Sequence, residues 1–266
     1  MDNRLATNRA NWNERTPVHA ASEFYDVESF KKGRITLTDI ERREVGDVSG
    51  KTLLHLQCHF GMDTMSWSRL GAKTTGVDIS DTAIDLARSL NDEIGADARF
   101  IRSNVYDLPD VLDEEFDIVF TSLGVLCWLP DLDRWASVVH RFLRPGGTFY
   151  ILDGPPVKGI FEESEEGEIR LTHDYSYFHD EFFFEGNDHT YAGSEIIASP
   201  VYEWQHSLGE IVTALATSGL IIKYLHEFPV SAYQAFPSME KGDDGWWRLP
   251  EHNDIIPKLF SIKATK

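Results

Sequence analysis

Short apolar runs of strand length alternate with amphipathic stretches of helical period along most of this chain, the pattern of an α/β fold. Thr52 to Leu56 is a mostly apolar run of buried-strand length, Gly61 opens a helical segment, and Lys73 to Asp78 is a second strand rich in Thr and Val. Ala98 to Arg102, Phe116 to Ser122 and Thr148 to Asp153 read as three further strands. Ile84, Ala87, Leu90 and Ile94 form one face of a helix after Ser80. Trp135, Val138, Val139, Phe142 and Leu143 make a similar stripe, which predicts a helix over Asp131 to Leu143. Ser207 and Glu210 form a capping box, Leu208, Ile211, Val212 and Leu215 follow at helical spacing, and Gly219 ends that helix. Leu220 to Leu225 and Leu259 to Lys266 supply two last strands.

Strand, tight loop, helix and a second strand ending on Asp78 make the front half of a nucleotide-binding unit. An acidic side chain at that strand end accepts hydrogen bonds from both ribose hydroxyls, while the loop and helix start present backbone N–H groups to the rest of the ligand. Asp78 also has a purely structural option, helping Ser80 cap the next helix. Dinucleotide enzymes need glycines in a G-x-G-x-x-G pattern where the pyrophosphate touches backbone. Here Gln57, Cys58, His59 and Phe60 precede Gly61, which argues against NAD.

The run from Lys51 to Ser80 resembles instead the class I S-adenosylmethionine (SAM) dependent methyltransferases, whose first motif is usually an acidic residue, a spacer and alternating glycines. His55 stands at the acidic position, Gln57 and His59 at two of the glycines, and Gly61 keeps its glycine. Ser103-Asn104-Val105-Tyr106-Asp107-Leu108-Pro109 resembles the family's adenine segment, and Leu143-Arg144-Pro145-Gly146-Gly147-Thr148 its L-x-P-G-G turn. GVLCWLPDLDRW after the fourth strand resembles the family's loop and helix at that place. The resemblance extends from about residue 50 to the C-terminus. It implies a Rossmann-like, doubly wound, mostly parallel seven-stranded sheet with an antiparallel last strand inserted beside its neighbour.

The resemblance also implies SAM as cofactor and in-line methyl transfer to a small-molecule acceptor through N, O, S or C. Cofactor contacts are expected from Trp12, Gln57, His59, Gly61, Asp63, Asp78, Ile79, Asn104, Val105 and Ser122. The Asn104 amide oxygen is expected to accept from the adenine amino group, and the Val105 N–H to reach a ring nitrogen. Gln57 and His59 are expected to donate to the methionine carboxylate, and Asp63 to accept from its amino group or cap the helix. A SAM-binding protein without turnover is the alternative, and an NAD(P)-dependent oxidoreductase a weaker one.

With 266 residues and 42% hydrophobic content, the chain can form one large domain, or one core with an inserted subdomain. The expected division is an N-terminal segment, 1–50, lying over the cofactor site, and a methyltransferase domain, 51–266, with a lid insertion at about 154–205. The insertion is rich in aromatic residues, and Tyr175/Tyr177 and Ile196-Ile197 suggest short strands within it. Ahead of the core, Trp12 sits on a short polar helix, NRANWNERT.

A net charge of −19 disfavours a phosphate backbone as partner, so no nucleic acid is expected. Nor does the chain have the N/D-P-P-Y/F motif of amino-methylating DNA enzymes, since Ser122-Leu123-Gly124 follows its fourth strand. From Ile151 to Pro200 there are twelve Asp or Glu against two Lys or Arg, either a solvated surface or a steering field for a cationic substrate. Met1 to Ala20 is polar and broken by Pro17, and no apolar run is long enough to cross a membrane, so a cytoplasmic monomer or homodimer without membrane contact is expected. Cys58 and Cys127 read as buried thiols without a disulfide. His19, His173 and His206 are weak candidates for a general base, and no metal-ligand spacing is present.

Overall fold

In the computed structural model, which describes residues 2–172, 175–193, 195–251 and 255–266, the apolar runs form one sheet. Helices α1 (Asn3–Ala21), α2 (Val27–Lys31) and α3 (Asp39–Val45) precede β1 (Thr52–Leu56), α4 (Met62–Arg69), β2 (Lys73–Asp78), α5 (Asp81–Ile94) and β3 (Ala98–Arg102). Next come β4 (Phe116–Thr121), α6 (Leu132–Phe142), β5 (Leu143–Asp153) and the short α7 (Pro156–Gly159). An inserted region carries β6 (Phe161–Glu163), β7 (Ile169–Leu171), β8 (Asp180–Phe184), β9 (Asp188–His189), β10 (Ile196–Ile197) and β11 (Val201–Gln205). The chain ends with α8 (Leu208–Thr217), β12 (Ile221–Phe228), β13 (Glu240–Lys241), β14 (Trp247–Arg248) and β15 (Leu259–Thr265).

The sheet order is β12, β15, β5, β4, β1, β2, β3. Strands β1 to β5 pair in parallel, and β15 runs antiparallel between β5 and β12. Strand alternation divides the core. Leu54, Leu56 and Val119 pack on Trp135 of α6 and Ile211 of α8, whereas Leu53, Ile118 and Phe120 pack on Trp67 of α4 and Ile40 of α3. From β1 the chain moves outward to β2 and β3, then returns to place β4 on the other side of β1. That reversal opens a crevice at the carboxyl ends of β1 and β4, where open α/β sheets bind ligands.

Several boundaries differ from the sequence expectation. Asp131 caps α6 through Arg134 N–H instead of starting it, and the helix stops at Phe142. β5 begins at Leu143, before Thr148, because Leu143 pairs with Phe116 of β4 across a register shift, and the glycine turn between is tied to the C-terminus: Gly146 N–H donates to Lys266 O and Lys266 N–H to Gly147 O. β12 runs on to Phe228 along its ladder with β15. Both halves of the Ser207–Glu210 capping box are present.

The N-terminal helix is longer than expected and continues through Pro17. Side-chain bonds on both flanks outweigh the backbone bond that proline removes. Asn8 donates to Tyr202 O and accepts from Tyr202 N–H, both at 2.8 Å, and Asn11 donates to Ser199 O. The Glu14 carboxylate takes the N–H groups of Ala198 and Ser199, while Asn13 accepts from Ser80 Oγ and Thr82 N–H at the start of α5. α1 therefore ties the inserted region to the β2–α5 junction. Within the insertion Ile196-Ile197 is a strand, but Tyr175 and Tyr177 lie outside any, because the β8 ladder with β11 begins at Asp180 opposite Gln205.

Candidate functional site

At the end of β1 the backbone turns through two left-handed residues, Gln57 with φ 57° and His59 with φ 51°. Neither is glycine, so each carries roughly 1 to 2 kcal/mol of backbone strain. The surrounding bonds hold them there. Cys58 N–H donates to Val77 O, His59 N–H to the Asp78 carboxylate at 2.8 Å, and Gly61 N–H to Cys58 O. Gly61, with φ 78°, cannot be replaced: a Cβ there would stand 2.4 Å from Phe100. α4 follows directly, with its first N–H groups uncapped by any side chain.

Asp78 lies where the sequence placed it, at the carboxyl end of β2 beside this loop. Its oxygens accept from His59 N–H and Ser80 N–H, so the structural option and the ligand option coexist on one carboxylate, each oxygen keeping a second lone pair. Burial pushes the carboxyl up to about 6, against the pull of those backbone bonds. Ile79 follows it, partly buried against the main core. On the next strand end, the Asn104 side-chain oxygen accepts from Tyr106 N–H at 3.2 Å, and Val105 is buried. The Asn104 oxygen thus carries an internal bond that the sequence did not indicate.

His55 is buried in place of an acidic residue, its Nδ1 2.8 Å from Thr64 Oγ1 and its Nε2 2.9 Å from Ser122 Oγ. Burial lowers it to about 3, so it stays neutral and bridges β1, α4 and the loop after β4. Ser122 is therefore engaged by protein. Asp63 is also turned inward. Its carboxylate accepts from Thr36 Oγ1, its pKa is raised by burial, and it does not cap α4.

The two side chains at the usual glycine positions are each held by a protein partner. Gln57 Nε2 donates to Val125 O at 3.0 Å, which leaves Oε1 buried without a partner. Val125 O takes one of the two Gln57 Nε2 hydrogens, so the amide keeps one further donor beside its unpartnered acceptor Oε1. His59 Nε2 lies 3.1 Å from His19 Nδ1, and His19 Nε2 lies 2.6 Å from Thr190 Oγ1 of the insertion. His59 Nδ1 is buried with no partner. Burial first, then nearby His19 and Arg15, holds His59 well below its ordinary value; burial and Arg15 take His19 to about 3. Both rings are neutral, so one proton is shared between them. If His19 Nδ1 donates it, His59 Nδ1 carries the other proton and is a donor.

Trp12 reaches the same place, its ring 5.1 Å from His59 and 5.2 Å from Trp128. Of the proposed bases, His19 is thus part of this cluster with both nitrogens engaged. His206 is not: its Nε2 meets Leu129 O at 2.7 Å, and it lines a separate cleft of about 650 Å³ at the starts of α6 and α8. His173 lies outside the described residues. Among the described residues no group of three His, Cys, Asp or Glu could hold a metal ion, and no helix is long and apolar enough to cross a membrane. Cys58 and Cys127 are free thiols; Cys58 is buried, but Cys127 is only half-buried.

Sequence reasoning missed Asp153. Buried at the end of β5, it accepts from the N–H groups of Gly124, Val125 and Leu126, and so shapes the loop that in turn holds Gln57. It also missed Arg15 and Glu203, unremarkable on polar stretches until the fold packs α1 on β11.

Residues 54–151 match a family model described as a methyltransferase domain. A ubiquinone biosynthesis O-methyltransferase of Nitrosococcus oceani is 30% identical over 143 residues, covering 51% of this chain and 60% of that protein. The corresponding protein of Pseudomonas syringae is 27% identical over 129 residues, 48% of this chain and 53% of its own. The chain thus spans about half the length of the curated relatives it matches. In fold it is similar to an S-adenosylmethionine dependent methyltransferase from Mesorhizobium loti, with TM-score 0.60 at 20% identity over 85% of this chain and 96% of that one. It is also similar to a glycopeptide N-methyltransferase solved with (S)-adenosyl-L-methionine, with TM-score 0.55 at 17% identity over 87% and 96% of the two chains. The sheet order, the loop at the β1–β4 switch point and the matched region agree: residues 54–151 match a methyltransferase domain, and the fold is similar to that of Rossmann-like, S-adenosylmethionine-dependent methyltransferases of known structure.

Proposed function

We propose that this protein transfers the methyl group of SAM to a small-molecule acceptor. The observation that carries the proposal is the β1 loop, where Gln57 Oε1 and His59 Nδ1 are buried and unpartnered beside the Asp78 carboxylate. An unpaired buried polar atom costs roughly 1 to 3 kcal/mol, so such atoms at a ligand crevice call for a polar ligand. The residues fit the cofactor. Asp78 would take the ribose hydroxyls, Gln57 Oε1 the ammonium group and His59 Nδ1–H the carboxylate, with Asn104 and Val105 at the adenine and Ile79 and Ser122 along the crevice.

Bound there, SAM supplies an electrophilic sulfonium methyl group. The chain's own part is alignment and exclusion of water, effects that together contribute about 7 to 11 kcal/mol in well-oriented sites. In this scheme Thr190 Oγ1 donates to His19 Nε2, His19 Nδ1–H donates to His59 Nε2, and His59 Nδ1 carries the proton offered to the ligand. α1, with Trp12, and the insertion bonded to it close the methionine end, which is the role we assign to residues 1–50 and to the region around 154–205. His19 is a positioning residue in this scheme, since its two nitrogens are committed to His59 and Thr190.

Calorimetry is expected to show binding of SAM and S-adenosylhomocysteine (SAH), and none of NAD or NADP. Nicotinamide binding with no response to either sulfur ligand would reverse the proposal, and SAH release from a panel of amines, phenols, thiols and carboxylates tests turnover. His59→Ala is expected to weaken SAM by about 1 to 2 kcal/mol and to leave methylthioadenosine, which lacks the amino-acid end, nearly unchanged. Equal losses for both ligands would mean that His59 serves only to shape the loop.

A further inference from the structure

Arg15 projects from α1 with its guanidinium carbon 5.5 Å from the Trp12 ring and 5.6 Å from the Trp128 ring. Its Nε donates to Asn11 Oδ1 at 2.6 Å, which fixes the fork. No carboxylate among the described residues lies within 4.0 Å of it, in a chain with 44 acidic side chains. Glu203 sits half-buried on β11, opposite Phe182 in the ladder with β8, and β11 packs against both α1 and the turn that carries Trp128. Its carboxylate makes no hydrogen bond or ion pair among the described residues. Burial raises its pKa against the pull of Arg15, whose charge it feels without forming an ion pair.

Arg15 and Glu203 thus carry opposite charges in one neighbourhood without an ion pair between them. Here the indole rings and Asn11 hold Arg15, and the β8–β11 ladder holds Glu203. The ground between them belongs to the same neighbourhood. The Cys127 thiol, in the turn after β4, feels both Glu203 and Arg15, and Tyr191 of the insertion feels both Arg15 and Cys127. Trp12 joins this space to His59 of the cofactor loop.

Resting on the methyl-transfer reading above, we propose that Arg15 and Glu203 form the acceptor site and take opposite ends of a small zwitterionic molecule bearing a carboxylate and an amine. A guanidinium fork suits a carboxylate bidentately, and a desolvated carboxylate is best satisfied by an ammonium or amine N–H. The charge balance selects the same class. With a net charge of −19 the protein repels a plain anion, whereas a zwitterion enters without net repulsion and neutralises both half-buried charges. The donor's own carboxylate is the other possible occupant of Arg15, and Gln57 and His59 already offer atoms for that end.

The test is calorimetry on the full chain. SAH and methylthioadenosine are titrated first. Glycine, 4-aminobutanoate, 6-aminohexanoate and 4-(aminomethyl)benzoate are then titrated into SAH-saturated protein, each beside its matching amine and its matching acid. At least one amino acid is expected to bind ten or more times tighter than either half, about 1.4 kcal/mol. Arg15→Gln should reduce it to the affinity of the amine, and Glu203→Gln to that of the acid, with SAH binding unchanged in both. Arg15→Lys, which keeps the charge and loses the fork, should recover part of the loss, and melting curves identify any variant that fails to fold. If Arg15→Gln weakens SAH but not methylthioadenosine, Arg15 belongs to the donor and the proposal falls. It falls equally if amino acid, amine and acid bind alike or none binds. Wild-type protein that ignores SAH would instead sink the methyltransferase reading, and the same probes titrated into free protein would still decide the clamp.

Discussion

Asp78→Ala is expected to weaken SAM binding by about 1 to 3 kcal/mol, the cost of leaving two ribose hydroxyls without an acceptor in a half-buried crevice. The loss should be the same for methylthioadenosine, because the ribose is common to both ligands. A pH dependence accompanies it. The hydroxyls donate to the ionised carboxylate, so the ligand binds the deprotonated form, and burial holds Asp78 at about 6. Above that value the free protein is already ionised and affinity is flat. As pH falls through about 6 a proton must leave before the ligand binds, and affinity drops, approaching about tenfold per pH unit. His59 and His19 are held well below this window and stay neutral through it. Methylthioadenosine titrated between pH 5 and 8 should show this slope with wild-type protein and none with Asp78→Asn. Unchanged affinity in Asp78→Ala with an intact fold would leave Asp78 only its bonds to His59 and Ser80.

The sheet was legible in the sequence where a strand is buried on both faces and reads as a mostly apolar run, as at Thr52–Leu56 and Phe116–Thr121. Lys73–Asp78, rich in Thr and Val, and the edge strand Ala98–Arg102 also carry the boundaries read for them. Strand ends were less legible where long-range pairing extends them. Nothing near Leu143 announces that the glycine turn will bond to Lys266, and nothing at Pro17 says that Asn8, Asn11 and Glu14 will hold the helix together.

The same division runs through the site. Asp78 could be placed from local pattern alone, since a strand end and its carboxylate are neighbours in sequence. Gln57 and His59 stood out as wrong residues for their positions, and the structure keeps the left-handed backbone while changing the side-chain chemistry. Which atom of Gln57 would be left without a protein partner depends on Val125, far along the chain, and no local pattern reports it. Arg15, Glu203 and Thr190 come from segments whose meeting is set by tertiary packing, and no spacing rule relates them.

Asp153 has the same origin, and its removal should have the largest effect on stability. Oδ1 receives Gly124 N–H at 2.6 Å and Gly154 N–H at 2.7 Å, and Oδ2 receives Val125 N–H at 3.2 Å and Leu126 N–H at 3.3 Å. Asp153→Ala strips the acceptor from all of them, and Val125 and Leu126 are buried, so water restores few of these bonds. At about 1 kcal/mol or more for each amide left unsatisfied, the expected loss is roughly 3 to 4 kcal/mol of folding stability. Asp153→Asn should recover little, because its amide nitrogen would face backbone N–H groups on one side. The loop from Ser122 to Trp128 also carries the Val125 carbonyl that orients Gln57 and the indole that flanks Arg15. Urea unfolding should therefore show a lower midpoint at constant slope, and SAM binding to the folded variant should weaken as well. A midpoint equal to wild type would mean that the loop keeps its shape without this carboxylate, and that its contacts with Gln57 and Arg15 are set elsewhere.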